Sequence, residues 1–323
     1  MKRVVVFPVS GYINRLQAVA SAALIAEELG WQLFIAWEPQ QVAAAPADAL
    51  FNEIFCREFV RSETEVTEMF GIQKEEIPRY LNIDADGGRI TLAGHDRGEQ
   101  VFMPELRAAI QSNPEIHTLA LIAGGHFGFT EPNLSIEAQE SFLHSSRGAW
   151  YRQLSLNSEI EQQVLVQRNE HPSYVALHLR YTDRSHQVPS HRSIFQALET
   201  LAARSNTRSL FIASDTAASR DEWASRARIL GFEPWSVEHS VWDRSDPRSA
   251  HPALIDWRLL GNSEALVYFS ASSFAYEAAV ATGAFDQSIG LSPHKLSAVR
   301  ASTTQIIQAA ITYPKRHGWI KAN

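Results

Sequence analysis

The sequence of 323 residues contains one cysteine, Cys56, so an intrachain disulfide and a cysteine-built zinc site are both excluded. That scarcity fits a reducing compartment. No apolar run approaches the roughly 18 residues that a membrane-crossing helix needs. The opening Met1-Lys2-Arg3-Val4-Val5-Val6-Phe7-Pro8 has a basic start and an apolar stretch, but Pro8, Gly11, Asn14 and Arg15 interrupt it too early for a secretory leader. A soluble, cytoplasmic protein is expected, with peripheral membrane contact left open. An excess of basic charge is also lacking. Lys and Arg number 29 against 36 Asp and Glu, a net charge of −7, which argues against nucleic acid as the main partner. A small anionic ligand stays compatible, because a single arginine can hold it. The chain has no internal repeat and no low-complexity tract.

What is present is a globular composition, 45% apolar and 20% charged, long enough for one large domain or two ordinary ones. Val4 to Val9 reads as a buried strand and Leu16 to Leu29 as a helix stopped by Gly30; Gln32 to Trp37 reads as the next strand. This β-turn-α-β opening predicts a parallel, doubly wound sheet. Further along, Asn52 to Phe55 is expected to be helical, and Arg89 to Leu92, Glu99 to Phe102 and Thr118 to Ala123 to be strands. After a helix over Asn157 to Gln167 and the polar break Arg168-Asn169-Glu170-His171-Pro172, a second series begins. It comprises strands at Tyr174 to Leu179, Ser209 to Ala213 and Ala265 to Phe269. Its helices are expected at Ser193 to Ala203, Ala218 to Leu230, Leu254 to Leu260 and Phe274 to Ala281. The expected domains are 1–168 and 169–323, both Rossmann-like, with the last helix free to pack back on the first.

Ligands of open α/β sheets bind at the carboxyl ends of strands, which singles out four segments. Ser10-Gly11-Tyr12-Ile13-Asn14-Arg15 joins the first strand to the first helix. Gly11 suits a tight turn, and Asn14 and Arg15 either contact a phosphate or sugar or, for Asn14, cap the helix. His178 and Arg180 project from one face of a strand end, with Asp183 in the loop. Arg180 suits bidentate binding of a diphosphate; the alternative is an ion pair with Asp183. Ser214 and Asp215 follow the next strand, where at least one is expected to cap a helix. Ser272, Ser273 and Phe274 open the last helix, a place that cradles phosphate and is also capped by serine. Asp256 lies among Ala253, Leu254, Ile255 and Trp257, so it needs a partner, either a core group or a nucleoside.

The segment His178-Leu179-Arg180-Tyr181-Thr182-Asp183 resembles the His-x-Arg-x-Thr-Asp motif of the fucosyltransferase superfamily, which includes α-1,6-fucosyltransferases, rhizobial nodulation fucosyltransferases and protein O-fucosyltransferases. Asp256 through Ser272-Ser273 is similar to that superfamily's third motif, and Ser272-Ser273-Phe274 resembles the Ser-Ser-Phe of the protein O-fucosyltransferases. Gly11 to Arg15 resembles their Gly-x-x-Asn loop, and Ser214-Asp215 stands where the second motif belongs. The resemblance spans nearly the whole chain, in order. It implies a GT-B fold, two domains facing across a cleft, and inverting, metal-independent transfer from GDP-fucose, with no cofactor beyond that donor. The N-terminal domain would take a carbohydrate-type acceptor and the C-terminal one the nucleotide sugar.

By position, Arg180 would bind the β-phosphate and ease departure of GDP. His178 and Asp256 would contact guanosine, and Ser272 and Ser273 the diphosphate. Asn14 would line the donor cleft, and Gly11, Arg15, Ser214, Asp215 and Phe274 complete the donor set. The α-1,6 enzymes carry a glutamate shortly after Thr-Asp, whereas this chain has His186-Gln187-Val188-Pro189. The general base is therefore Asp183 or a group in the N-terminal half. Asp84-Ala85-Asp86 matches a metal-binding Asp-x-Asp, but Gly87-Gly88 makes a hairpin turn the better account. His178, His186 and His191 are too irregularly spaced for a metal site. Rival functions are a GT-B transferase with another donor, heptosyl- or rhamnosyltransferase-like, and a non-catalytic nucleotide-sugar-binding protein.

Overall fold

The computed structural model describes residues 1–292 except 79, 80, 85, 94–100, 103, 129–134, 183–187, 240, 242 and 244. In chain order its first elements are β1 (Arg3–Pro8), α1 (Tyr12–Leu29), β2 (Gln32–Ala36), α2 (Glu53–Phe59), β3 (Val60–Arg61), α3 (Glu63–Phe70), β4 (Asn82–Asp84), β5 (Arg89–Ala93) and β6 (Val101–Phe102). Next come α4 (Pro104–Ser112), β7 (Thr118–Ala123), β8 (Phe127–Gly128), α5 (Ile136–Gln153) and α6 (Ser158–Glu170). The remainder are β9 (Val175–Leu179), α7 (His191–Arg204), β10 (Ser209–Ser214), α8 (Ala217–Ile229), β11 (Glu233–Trp235), α9 (Ala250–Gly261), β12 (Leu266–Phe269), α10 (Ser273–Ala281) and β13 (Ile289–Leu291).

The chain divides into two compact units. The first takes in Met1–Pro172, Val237–Asn262 and Glu277–Phe285; the second takes in Ser173–Ser236, Ser263–Tyr276 and the described residues from Asp286 on. The first unit holds a six-stranded sheet ordered β3-β2-β1-β7-β5-β4, and the second a five-stranded sheet ordered β11-β10-β9-β12-β13. All neighbours are parallel except the β4–β5 hairpin. The architecture is the mixed α/β one expected, with parallel sheets. Among the described residues, no helix is long and apolar enough to cross a membrane.

In the first unit, β1 is paired on both edges, by β2 and β7, and Val4, Val5, Val6 and Phe7 are all buried. A strand covered on both faces needs a continuous apolar run, which is what the sequence carries. Helix α1 ends at Gly30, held in the left-handed region at φ 64°. It begins at Tyr12, four residues before the expected Leu16. Gly11 is its N-cap, and Asn14 lies inside the first turn, so the capping role considered for Asn14 is corrected. The hairpin at Asp84 is present: the Gly87 amide donates to Asp84 Oδ1 at 2.9 Å, and Gly88 has φ 63°. Residue 85 and the first two residues of the strand expected at Glu99 to Phe102 lie outside the described residues, and β6 covers Val101–Phe102.

In the second unit, Val175, Leu177 and Leu179 of β9 point one way and pack with Ile194, Leu198, Trp223 and Ala227 of α7 and α8. Each fully buried side chain of this kind contributes about 1.5–3 kcal/mol. The alternation of a strand then sends His178 to the opposite face. There its ring stacks on Phe274 at 5.4 Å between centroids.

A buried polar network lies inside the first unit. Glu277 accepts from Gln17 Nε2 at 2.8 Å, from Arg147 Nε and Nη2 at 3.1 Å each, and from the Tyr151 hydroxyl at 2.7 Å. Burial alone would raise the Glu277 carboxyl, but Arg147, His126 and Tyr151 outweigh it and hold it below the ordinary range. Burial and the Arg147 charge push the neighbouring His126 imidazole down to about 4, with His144 acting the same way and Glu277 opposing. The unfolded ring titrates near 6.5, so between these values the unfolded chain binds more protons and stability falls as the pH drops. The loss across that window is about 3 kcal/mol. Urea unfolding at intervals between pH 6.5 and 4.5 should show this slope, and His126→Gln should flatten it; an identical slope in the variant would refute the assignment.

Candidate functional site

The order of the second sheet creates a switch point. From β9 the chain moves to β10 and β11 on one side, whereas β12 and β13 lie on the other. Connections from the carboxyl ends of β9 and β12 therefore run to opposite sides, the arrangement at which open α/β sheets bind ligands. Those loops carry Arg180 and Ser270 to Ser273, two of the four segments singled out by sequence.

Ser272 stands directly before α10. Its amide donates to the Phe269 carbonyl at 2.9 Å, and its own carbonyl accepts from the Tyr276 amide at 2.9 Å. Its hydroxyl is different: Ser272 is 1% exposed and its Oγ has no hydrogen-bond partner. Leaving a buried hydroxyl unsatisfied costs about 1–3 kcal/mol. A ligand oxygen would remove that cost, and the positive end of the helix dipole favours an anionic one. Ser270, by contrast, turns both its amide and its hydroxyl onto the Leu291 carbonyl at 3.0 Å.

Asp215, after β10, does not cap α8. Its carboxylate accepts from the Tyr181 amide at 2.9 and 3.0 Å, from the Thr182 amide at 2.9 Å and from the Thr182 hydroxyl at 2.6 Å. The cap is Thr216, which accepts from the Ser219 amide at 3.2 Å, while Ser214 Oγ accepts from the Thr216 amide at 3.3 Å. The expectation that Ser214 or Asp215 caps the helix is thus corrected by one or two positions. Asp215 instead pins the loop that begins at Arg180. A second tie comes from Trp223, whose indole N–H donates to the Tyr181 hydroxyl at 3.0 Å. Burial raises the Tyr181 phenol, and Asp215 and Glu222 add to that, so it stays protonated. Asp183 and His186 lie outside the described residues. His191 opens α7, half exposed, with its ring against Trp223.

The remaining candidates belong to the first unit. In the loop after β1, Ser10 has φ 75°, so a non-glycine residue occupies the left-handed region. Gly11 has φ −69°, and nothing lies within 4 Å of where its Cβ would be, so Ser10 and not Gly11 makes the tight turn. Arg15 points inward. It is fully buried, donates through Nε to the Ser10 carbonyl at 3.0 Å and through Nη1 to the Glu38 carbonyl at 2.8 Å, and stacks on Trp37. Burial lowers its guanidinium to about 10. Arg15 thus ties the loop after β1 to the Ser10 and Glu38 carbonyls, while its buried Nη2 has no hydrogen-bond partner. Asp256, on α9, is buried, and its Oδ2 lies 2.8 Å from Nε2 of the equally buried His239. His239 was missed by sequence reasoning, which required only that such an acid have a partner. Among the described residues, no group of three or more His, Cys, Asp or Glu is placed to hold a metal.

No family model matches the chain, and no curated protein matches it either. Solved structures do. Fucosyltransferase NodZ from Bradyrhizobium is 18% identical, with a TM-score of 0.52 over 86% of this chain and 91% of that one. A mutant of Arabidopsis thaliana FUT1 in complex with GDP is 16% identical, with a TM-score of 0.58 over 87% of this chain and 68% of that one. POFUT1 in complex with GDP-fucose is 14% identical, with a TM-score of 0.53 over 90% and 97%. The chain shares the fold of these GT-B fucosyltransferases. The fucosyltransferase fold was the expectation drawn from the ordered motifs, and at these identities the likeness concerns the fold alone.

Proposed function

We propose that the protein is an inverting, metal-independent glycosyltransferase that moves fucose from GDP-fucose to a glycan, glycolipid or protein. The observation that carries this is the buried, unpartnered hydroxyl of Ser272 at the start of α10, at the sheet's switch point beside the strand that Arg180 directly follows. The ordered motifs and the shared fold support the choice of donor. In this reading residues 1–168 serve the acceptor and 169–323 the nucleotide sugar. An acceptor oxygen attacks C1 of fucose from the face opposite the diphosphate. The C1–O bond breaks as the new bond forms, the electron pair leaves with GDP, and the proton passes to Asp183 or a base in the N-terminal half. Arg180 meets the charge growing on GDP, the task a metal performs elsewhere.

Ligand-dependent melting tests the reading. GDP should raise the melting temperature in EDTA, by the equivalent of about 2.7 kcal/mol at a hundredfold excess over Kd. UDP, ADP and dTDP should do much less; preference for one of them would redirect the donor. Stabilisation that needs Mn²⁺ would defeat the metal-independent mechanism and return Asp84 and Asp86 to the site. The stretch His186-Gln187-Val188-Pro189, which holds no glutamate where the α-1,6 enzymes carry one, favours a second reading, a non-catalytic nucleotide-sugar-binding protein. Slow hydrolysis of GDP-fucose without acceptor would count against it.

A further inference from the structure

Tyr181 occupies a variable position of the His-x-Arg-x-Thr-Asp pattern, so the resemblance gives it no task. Its surroundings in the second unit do. The amide is held by the Asp215 carboxylate at 2.9 and 3.0 Å. The hydroxyl accepts from the indole N–H of Trp223, a fully buried residue of α8, at 3.0 Å. The ring meets Phe269, the buried last residue of β12, edge to face, with 6.1 Å between centroids and 78° between planes. Tyr181 thereby joins Leu177 and Leu179 in the core that β9 shares with α7 and α8.

These contacts bear on the residue before it. The last pairing of β9 with β10 joins Leu179 to Ser214, so the ladder stops one residue short of Arg180. Successive side chains of an extended chain alternate between the two faces of a sheet. Leu177, Leu179 and Tyr181 pack with α7 and α8, whereas His178 stacks on Phe274 of α10 on the other face. Seating both neighbours of Arg180 on one face leaves it the face of His178. The start of α10 has its own supports there, the His178–Phe274 stack and Tyr276 against Tyr268 at 6.2 Å. Phe269 links the two arms: its ring receives Tyr181, and its carbonyl receives the Ser272 amide at 2.9 Å. We propose that Tyr181 is a positioning residue: its ring on Phe269 and its hydroxyl on the Trp223 indole fix the chain one residue past Arg180, so that Arg180 leaves β9 on the face where α10 begins. The catalytic half of this inference rests on the GDP-sugar reading above.

Two measurements separate that half from the structural half. In Tyr181→Ala, amide exchange at residues 180–182 of the unliganded protein should quicken about tenfold, because two of the loop's ties to the core are gone. The same variant should lose about tenfold in kcat at saturating GDP-fucose, a displacement of Arg180 by a fraction of an ångström being enough. Tyr181→Phe keeps the ring on Phe269 and should restore most of both. The decisive arm adds Tyr181→Ala to Arg180→Ala. A residue that acts through Arg180 has nothing left to position there, so kcat should fall by less than about twofold further. As a control, Leu201→Ala lowers the melting temperature through a core position near the far end of α7 and should leave exchange at 180–182 and kcat unchanged. If Tyr181→Ala does not fold, Tyr181→Leu, which keeps apolar bulk, is read in the same way with smaller shifts of the same sign. Unchanged exchange at 180–182 in a folded variant overturns the positioning role, and so does an equal loss of kcat with and without Arg180. Faster exchange with wild-type kcat overturns the link to Arg180. Faster exchange in the variant, together with neither fucose transfer nor GDP binding by wild type, keeps the support of the loop and sinks the donor reading.

Discussion

Arg180→Ala is expected to lower kcat for fucose transfer by about 100-fold or more, the scale seen when a preorganised charge-stabilising group is removed. Arg180 directly follows β9, the central strand of its sheet, which is hydrogen-bonded to β10 on one edge and β12 on the other. Two paired neighbours and the Asp215 pin fix the backbone on either side of Arg180, which limits the reorganisation needed when charge develops. The negative charge on the departing diphosphate grows between ground state and transition state. An interaction that strengthens over that interval raises turnover and not affinity alone. Arg180→Lys should restore little, because an ammonium keeps the charge and loses the planar two-pronged geometry. If Arg180 served only to pair with a buried acid, its removal would instead cost about 3–5 kcal/mol of stability. Kinetics and urea unfolding on one preparation decide between these. A folded variant with near-normal turnover would remove the main support for the site.

Asp215→Ala should cost turnover on a similar scale, about 100-fold, although Asp215 has a different task. Its carboxylate accepts from two consecutive amides and one hydroxyl of the loop that Arg180 begins. Without it, the Tyr181 and Thr182 amides turn to water and the loop is free to shift by an ångström, enough to misplace a catalytic group. The loss in stability should be small, about 1 kcal/mol, because the pin is partly solvated. Asp215→Asn discriminates between roles. An amide oxygen in place of Oδ2 still accepts from both Thr182 donors and from the Tyr181 amide, so substantial turnover should return. Had Asp215 acted through its charge on the donor, Asn would be as poor as Ala. Initial rates of the three proteins at saturating GDP-fucose give the answer.

The elements legible in the sequence are those whose signal is local. Val4 to Phe7 is continuous in β-branched and aromatic residues because both faces of β1 are covered, and a reader of the chain meets the whole pattern within a few positions. The same holds for Leu177 and Leu179 alternating with His178, and for Gly30 closing α1. Arg180 and Ser272 were legible for a related reason: both stand where a strand ends, and the fold places ligands there whatever the rest of the chain does.

Helix α5 was not legible. Its buried face includes Arg147, and its exposed face includes Phe142, so the apolar pattern is inverted at two positions. Arg147 is tolerable inside only because Glu277, 130 residues later, meets it with both oxygens. His239 with Asp256, Arg15 turned onto the Ser10 and Glu38 carbonyls, and Asp215 on the Tyr181 and Thr182 amides follow the same rule. By itself the sequence determined the α/β class, the strand-end positions of the candidate site and the residue types that suit a diphosphate, since backbone propensity and burial period act between near neighbours. Only the tertiary structure decided which polar side chains hold the chain and through which partners, because a buried donor or charge takes its partner from whatever element packs against it, at any distance along the sequence.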